Sequence, residues 1–223
     1  MSLDMTRRNG QAAVHPDSSE VGTPSLSPAD RARKRVFDVV ASIVGLALVG
    51  WLIALAWVAA AIDTRQSGFF RQVRVGRHAR PFLVIKLRTM RALPGVTTTV
   101  TAANDPRVTR LGRLLRRTKI DELPQLINVL RGDMSFVGPR PEVPGFADRL
   151  EGDDRIILSV RPGITGPATV HYRHEEQLLA AQPDPERYNR EVLFPAKVRF
   201  NVEYVRTHSF RTDLTYIWRT LFR

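Results

Sequence analysis

The sequence predicts an α+β protein that is mostly helical, with a single membrane-embedded N-terminal helix, a small β-hairpin and amphipathic interfacial helices. Three observations lead to this prediction: a long uncharged apolar segment, two strand-like runs around one turn, and basic segments with apolar residues at helical spacing. The chain has 223 residues, 43% of them hydrophobic, which is enough to bury one core. We expect a flexible polar tail at 1–30, a membrane helix at 31–65 and one folded domain at 66–223.

The charge balance restricts the class of partner. The 34 Lys and Arg residues exceed the 22 Asp and Glu residues and give a formal net charge of +12. Such a chain attracts an anionic partner, which means nucleic acid, acidic lipid headgroups or phosphorylated substrates. The sequence contains no cysteine, so disulfides, thiolate catalysis and cysteine-ligated zinc are excluded.

The membrane helix is predicted from the stretch between Val39 and Ile62, which contains no charged residue. At 1.5 Å per residue it is long enough to cross a hydrocarbon core of about 30 Å. Basic residues flank both ends, so the positive-inside rule assigns neither end to the outside. This pattern favours a re-entrant helix that enters and leaves by the same face, with a spanning helix as the alternative. Re-entry calls for a break, and Gly50 only weakens the helix, by about 1 kcal/mol relative to alanine.

The remaining elements follow in order. Phe69–Val75 and Phe82–Leu87 read as two strands of a hairpin. Asp105 and Pro106 predict the start of a basic amphipathic helix suited to a membrane surface. Near the C-terminus an apolar stripe with helical spacing predicts a further helix, which lies at the lipid interface or docks on the core; its members are Leu214, Ile217, Trp218, Leu221 and Phe222.

The stretch from Lys119 to Pro141 carries the candidate chemistry. Two adjacent carboxylates, Asp121 and Glu122, precede a short helical pattern and are expected at the helix start. Farther on, Pro139 and Pro141 fix the backbone on either side of Arg140. Taken singly, these features are typical of a helix cap and a surface loop. Together with the surrounding basic residues they suggest phosphoryl transfer, because cations bind phosphate and keep a carboxylate ionised.

The same stretch, KIDELPQLINVLRGDMSFVGPRP, resembles the core of the bacterial sugar transferases, the monotopic polyprenol-phosphate phosphoglycosyl transferases. The likeness extends over roughly residues 34–222. Lys86–Met90 is similar to the Lys-Phe-Arg-Thr-Met signature of that family, and Val160–Gly166 is similar to a second signature, which predicts a tight loop with a close backbone approach. Where family members break the membrane helix with Ser-Pro, this chain has Gly50-Trp51.

The resemblance implies an activity. The family moves a sugar-1-phosphate from a UDP-sugar to polyprenol (undecaprenyl) phosphate and releases UMP. A covalent phosphosugar on Asp121 is the implied intermediate, with Glu122 as a second catalytic residue and the ligand of Mg²⁺. The implied substrate-binding residues are Lys86, Arg88, Arg116, Pro139, Arg140 and Pro141. The pathway is bacterial surface glycan synthesis (exopolysaccharide, capsule, O-antigen or glycoprotein), of which this is the first membrane step.

The implied location is the bacterial inner (cytoplasmic) membrane, with residues 66–223 as a cytoplasmic catalytic domain packed on the membrane surface. Membrane lipid is then a partner and nucleic acid is not, and a homodimer through the membrane helix is left open. The sequence does not select the sugar or the glycan.

Two readings from other classes remain at this stage. A membrane-anchored scaffold explains the amphipathic segments, and a basic nucleic-acid-binding protein explains the charge, although neither gives Asp121-Glu122 a role. The cluster of His171, His174, Glu175 and Glu176 matches no zinc spacing and is predicted to be polar surface.

Overall fold

A computed structural model describes residues 27–93, 95, 98, 100–103 and 105–222. Most of the tail predicted at 1–30 lies outside the described residues. The helices are α1 (Pro28–Thr64), α2 (Arg110–Arg117), α3 (Gln125–Arg131), α4 (Pro167–His171), α5 (Glu175–Ala180), α6 (Pro185–Tyr188), α7 (Phe194–Thr207) and α8 (Phe210–Leu221). The strands are β1 (Phe69–Val75), β2 (Pro81–Leu87), β3 (Ser135–Val137) and β4 (Gly163–Thr165). The mostly helical α+β prediction is confirmed.

Helix α1 is one long element. Its N-cap is Ser27, whose side chain accepts a hydrogen bond from the backbone N–H of Asp30, and Pro28 occupies the first turn. The helix has 37 residues and is therefore about 55 Å long. It continues through Gly50 and Trp51 as an α-helix, so the glycine does not interrupt it. Among the described residues, α1 is the helix with the length and apolarity needed to cross a membrane.

One face of α1 lies on the rest of the protein along its length. Near its start, the Arg35 guanidinium donates to the carbonyl oxygens of Val129 (2.6 Å) and Leu130 (2.8 Å) at the end of α3. Near its end, the Asp63 carbonyl oxygen accepts from Arg91 Nε at 3.0 Å. The opposite face is an exposed apolar stripe made of Val36, Val40, Ile43, Val44, Leu48, Trp51, Leu55, Val58 and Ile62. Both ends of the helix therefore contact the same folded body.

Buried polar groups fix the position of α1. Asp38 is almost fully buried, and its Oδ1 accepts from Ser135 Oγ and from the Phe136 N–H, both at 3.1 Å. The Lys34 ammonium pairs with Asp213 of α8, which also accepts from the Tyr204 hydroxyl at 2.7 Å. These contacts tie the first turns of α1 to β3 and α8.

The predicted hairpin is confirmed. Strands β1 and β2 pair in antiparallel register from Phe69 opposite Leu87 to Val75 opposite Pro81. The Asn128 side chain of α3 continues the sheet, because its Oδ1 accepts from the Ile85 N–H (3.0 Å) and its Nδ2 donates to the Leu83 carbonyl (2.7 Å). Helix α3 is thereby held against β2.

A second small sheet supports the Pro139–Pro141 segment. Strands β3 and β4 are parallel, with Ser135 opposite Gly163 and Val137 opposite Thr165. A Cβ on Gly163 would lie 2.2 Å from the Gly138 nitrogen, so only glycine fits there. The tight, close-approach loop expected from the second signature is confirmed. The main core packs beneath this sheet and includes Val137, Ile156, Ile157, Leu158, Val198 and Val205.

Two local predictions were wrong. Helix α2 begins at Arg110 instead of at Asp105-Pro106, because the Asp105 carboxylate accepts from the backbone and guanidinium of Arg107, while Thr109 caps the helix through the Gly112 N–H. The carboxylate pair lies in a 3₁₀ turn, Ile120–Glu122, and not on α3 itself. Pro124 has no N–H, so it cannot donate the hydrogen bond that would continue α3 towards its N-terminus. The Leu123 N–H donates to the Ile120 carbonyl, which is the spacing of a 3₁₀ turn.

Candidate active site

The carboxylate pair lies in the short turn between α2 and α3. Lys119, just before this turn, adopts a left-handed conformation (φ 59°). Asp121 is 8% exposed, and among the described residues its Oδ1 is buried with no hydrogen-bond partner. A buried carboxylate oxygen without a partner is costly unless it serves a ligand. Asp121 therefore has an oxygen that is available to a ligand, and its predicted catalytic role stays a prediction.

Glu122 is anchored by two cations. Its Oε1 accepts from Arg140 Nη2 at 2.6 Å and from Lys86 Nζ at 3.2 Å. Lys86 comes from β2 and Arg140 from the segment after β3, so three separate pieces of the fold meet at this oxygen. The structure thus brings together four of the predicted site residues, namely Asp121, Glu122, Lys86 and Arg140.

The two carboxylates have opposite electrostatic settings. Burial, reinforced by the charge of Glu122, raises the pKa of Asp121 to about 6, against the opposing effect of Lys86. Burial acts on Glu122 in the same direction, but the charges of Arg140 and Lys86 outweigh it and hold the pKa of Glu122 well below its usual range. Near neutral pH, Glu122 is a fixed anion and Asp121 is close to its titration point.

The pKa values of the two cations, Lys86 and Arg140, are shifted in opposite directions. Burial lowers the pKa of Lys86 to about 8, although Glu122 opposes the shift. The charge of Glu122 raises the pKa of Arg140 above its already high ordinary value. Arg140 is therefore a permanent cation at this site, while Lys86 can lose its proton in mildly alkaline solution.

The backbone around Arg140 is bonded on both sides. The Pro139 carbonyl accepts from the Gly163 N–H at 2.9 Å, and the Pro141 carbonyl accepts from Arg74 Nη1 at 3.1 Å. The two prolines thus position Arg140 through the β3–β4 sheet and through β1. The structure describes them as supports for Arg140, and their predicted contact with substrate stays a prediction.

Arg116 lies within electrostatic range of the pair, since its charge lowers the pKa of Asp121 after the larger effects of burial and Glu122. Its Nε donates to Thr89 Oγ1 at 3.0 Å and its Nη1 to Glu176 Oε1 at 2.8 Å. The guanidinium is thus fixed at the edge of the site by a carboxylate from α5.

Arg88 is not brought to this cluster. Its Nε donates to the Ser67 carbonyl at 2.8 Å, and its guanidinium lies over the Phe70 ring, 5.7 Å from the centroid. In this structure Arg88 joins the base of the hairpin to the end of α1.

Sequence reasoning missed two buried cations, Arg74 and Lys197. Arg74 donates to the Pro141 carbonyl and to the Gln72 side chain. Strand alternation places Gln72 and Arg74 on the same face of β1, and this pattern could have indicated from sequence that the two side chains lie together. Lys197 of α7 pairs with Glu175 (2.6 Å) and lies 3.8 Å from Glu142. The sequence around Lys197 gives no comparable signal, because its partners lie far away along the chain.

The protein alone supplies too few ligands for a complete Mg²⁺ site, so a bound substrate would have to provide the others. Among the described residues no group of three or more His, Asp and Glu side chains is placed to hold a metal, and this includes the cluster at 171–176. Mg²⁺ is commonly bound by one or two carboxylates together with substrate phosphates and water. The Glu122 carboxylate, which lies beside Asp121, supplies that minimum once phosphate oxygens and water complete the site.

Comparisons with known proteins agree with this geometry. The family described as bacterial sugar transferase matches residues 29–223. The chain is 37% identical over 204 residues to the UDP-glucose:undecaprenyl-phosphate glucose-1-phosphate transferase of Caulobacter vibrioides, covering 90% of this chain and 72% of that protein. It is 31% identical to the exopolysaccharide production protein ExoY of Rhizobium meliloti, covering 89% of this chain and 88% of that protein.

A third relative differs in its sugar. The undecaprenyl-phosphate galactose phosphotransferase of Salmonella typhimurium is 33% identical over 206 residues, covering 85% of this chain and 40% of that protein. The family match spans all but the first residues of the chain, and the ExoY relative is matched over most of both lengths. The chain therefore belongs to the bacterial sugar transferase family.

Proposed function

We propose that this protein transfers a sugar-1-phosphate from a UDP-sugar to undecaprenyl phosphate and releases UMP. The observation that carries the proposal is Asp121, a buried carboxylate with one unpartnered oxygen beside a fixed Glu122–Lys86–Arg140 cluster. The names of the relatives, which are undecaprenyl-phosphate sugar transferases, support the same reaction class. A scaffold or a nucleic-acid-binding protein would have no use for such a group.

The reaction proceeds in two displacements. In the first, a carboxylate oxygen of Asp121 forms a bond to the phosphorus that carries the sugar, and the bond from that phosphorus to the oxygen of UMP breaks. In the second, an oxygen of undecaprenyl phosphate attacks the same phosphorus and Asp121 leaves as a free carboxylate. The products are UMP and undecaprenyl-diphosphate-sugar.

The cations make the first displacement feasible. A diphosphate repels an anionic nucleophile, so positive charge must be in place before the reaction begins. Arg140 and Lys86 are held by Glu122, and Arg116 lies at the edge of the site. These groups orient the phosphates and stabilise the charge that develops on the leaving UMP.

We also propose that Mg²⁺ acts at this site, held by Glu122 together with oxygens of the donor diphosphate. The bound ion would supply further neutralisation of the diphosphate charge. Because Glu122 Oε1 already accepts from two cations, we expect Mg²⁺ to bind tightly only when donor is present.

The proposed location is the cytoplasmic face of the bacterial inner membrane, where both substrates meet. This rests on the apolar stripe of α1 and on the contacts that both ends of α1 make with one body. A helix that stays on one side keeps the site at headgroup level. The pathway is the first membrane step of a surface glycan, and the sugar is left to experiment because the relatives use different ones.

The test is UMP release by the purified protein in detergent with Mg²⁺, undecaprenyl phosphate and a panel of UDP-sugars. We expect release with one or a few donors and a loss of at least about a thousandfold in Asp121→Asn, because a nucleophile is removed. Asp153→Asn is the matched control, since that carboxylate is 91% exposed and pairs with a surface arginine.

A second readout addresses the intermediate. Incubation with donor alone should leave a phosphosugar on Asp121, visible as a mass increase of the intact protein that undecaprenyl phosphate removes. Full turnover by Asp121→Asn, or turnover without any covalent adduct under these conditions, would contradict the proposed mechanism.

A further inference from the structure

Two cations at the site are held by consecutive carboxylates of α5. Glu176 Oε1 accepts from Arg116 Nη1 at 2.8 Å, and Glu175 Oε1 accepts from Lys197 Nζ at 2.6 Å. Arg116 belongs to α2 and Lys197 to α7, so α5 bridges two elements that border the same site. Helix α5 itself has only six residues and its N-cap makes no side-chain hydrogen bond.

Lys197 lies close to Arg140. Both side chains line one narrow cavity behind the Pro139–Pro141 segment, together with Glu142 and Asn201. Glu142 is 3.8 Å from Lys197, and the charges of Glu175 and Glu142 both contribute to the raised pKa of Arg140. The two cations therefore share their carboxylate neighbours.

The same cavity contains an unpaired acceptor. Asn201 is 6% exposed, and among the described residues its Oδ1 is buried with no hydrogen-bond partner. Buried polar atoms are nearly always paired with protein, water or ligand. This oxygen can accept a hydrogen bond from a water molecule or from a hydroxyl of a ligand, but not from a phosphate oxygen.

The ion pairs are asymmetric in exposure. The side chains of Lys197 and Arg116 are 8% and 21% exposed, whereas those of Glu175 and Glu176 are 30% and 49% exposed. A carboxylate at the surface regains water when it leaves its partner, but a buried cation does not. Separation of these pairs is therefore favourable only when another anion takes the place of the carboxylates.

We propose that Lys197 is a further donor-binding residue, and that Glu175 and Glu176 occupy Lys197 and Arg116 as internal anions until the diphosphate of the nucleotide displaces them. Helix α5 then acts as a gate whose two carboxylates compete with two phosphates. This inference rests on the proposed function, because it takes the anion to be the donor nucleotide.

The experiment measures the affinity of UDP and of inorganic pyrophosphate for the purified full chain by calorimetry, with Mg²⁺ present. Each of Glu175→Gln and Glu176→Gln should bind both probes about two- to fivefold more tightly, since a partly exposed ion pair that competes with the ligand is lost. The double variant should gain up to about tenfold. Glu191→Gln, which removes an exposed pair with Arg187, should leave the affinity unchanged.

Lys197→Gln should weaken both probes by tenfold or more, and Lys197→Arg should restore most of the affinity. A gain in affinity cannot result from misfolding, so the glutamine variants of α5 remain decisive even if Lys197→Gln folds poorly. Unchanged or weaker binding in Glu175→Gln and Glu176→Gln would overturn the proposal and leave these carboxylates as supports that position the cations.

The two proposals fail separately. A wild type that releases UMP from a UDP-sugar, with α5 variants of unaltered affinity, would refute the gate and keep the transferase. A wild type that binds neither UDP nor pyrophosphate would refute the gate, and a wild type that releases no UMP from any UDP-sugar would refute the transferase.

Discussion

Asp121 and Glu122 are consecutive residues with different duties because they have different neighbours. Glu122 receives two cations on one oxygen, while Asp121 is buried with an oxygen that receives none among the described residues. A nucleophile must be free of strong hydrogen bonds to attack, and the cations that it needs must be held by something else. Glu122 holds these cations, Lys86 and Arg140, in place.

The pH dependence of donor turnover follows from these neighbours. In the proposed mechanism Asp121 attacks only when ionised, and its pKa is raised to about 6 by burial and Glu122. Lys86 binds phosphate only when protonated, and burial lowers its pKa to about 8. We expect kcat/KM for the donor to rise through about pH 6, reach its maximum near pH 7, and fall through about pH 8. The check is UMP release measured between pH 5 and pH 9, and a flat profile across the acid limb would contradict the assignment of Asp121.

Removal of the Asp121 charge should stabilise the fold at neutral pH. The pKa of this acid is raised from 3.8 when unfolded to about 6 when folded, so the folded state binds its proton more tightly. The free energy of unfolding therefore falls by about 3 kcal/mol in total as the pH rises from below 3.8 to above about 6. Asp121→Asn, which is neutral at every pH, should exceed the wild type by up to that amount at pH 8.

Thermal unfolding at pH 8 and at pH 4.5 tests this expectation. The advantage of Asp121→Asn should shrink at the lower pH, where the wild-type carboxyl is itself largely protonated in the folded state. An Asp121→Asn protein less stable than the wild type at pH 8 would show that the ionised carboxylate has partners that stabilise it.

The sequence located the reactive pair but not all of its environment. Asp121, Glu122 and Arg140 stand in one recognisable run, and Lys86 stands in a second. Lys197 and Arg74 come from α7 and β1, and their approach to Arg140 depends on long-range packing that local spacing does not encode. Arg88, which shares a motif with Lys86, points to the base of the hairpin instead.

At the level of elements, the β3–β4 pair positions Arg140. The Gly138 N–H donates to the Thr165 carbonyl, and the Gly163 N–H donates to the Pro139 carbonyl, both at 2.9 Å. Two glycines let the backbones approach this closely, so the placement of the arginine depends on residues with no side chain.

Gly163→Ala should therefore separate the two strands. The new Cβ would lie 2.2 Å from the Gly138 nitrogen, which rigid backbone cannot accommodate. We expect a loss of several kcal/mol in stability and a loss of donor binding, measured by thermal unfolding and calorimetry. Gly50→Ala is the matched control, because nothing lies within 4 Å of its Cβ and alanine favours the helix by about 1 kcal/mol. Equal stability of the two variants would refute the close approach.

Element type was easier to predict than element start. The hairpin and the C-terminal helices follow from alternation and helical spacing, and they are present as predicted. The predicted start of α2 was wrong because Asp105 bonds to both the backbone N–H and the guanidinium of Arg107, while Thr109 caps the helix. Sequence spacing does not decide such a competition.

At the scale of the whole molecule, α1 lies along the body with its apolar stripe outward. A helix that spans a bilayer would carry one end away from the folded body, but Arg35 and Asp63 contact that body near opposite ends of α1. The charge of both flanks led to the same expectation from sequence. Helix α1 runs unbroken through Gly50 and Trp51, so it does not contain the break that re-entry calls for, and the re-entrant topology stays a prediction.

Cysteine labelling tests this topology. The chain contains no cysteine, so Ala29→Cys and Gln66→Cys each introduce one exposed thiol at an end of α1. Both should react with a membrane-impermeant maleimide from the cytoplasmic side of inverted vesicles, and neither from the outside of intact cells. Labelling of the two positions from opposite sides would establish a spanning helix and contradict the re-entrant prediction.

The pairing of Lys34 with Asp213 spans 179 positions of the chain. During synthesis α1 leaves the ribosome before these partners, since Asp213 is made 179 residues after Lys34 and Ser135 is made 97 residues after Asp38. The pair between Lys34 and Asp213 can therefore form only after α8 has emerged. The final docking of α1 on the folded body is therefore a late step of folding, which depends on α8 as much as on α1.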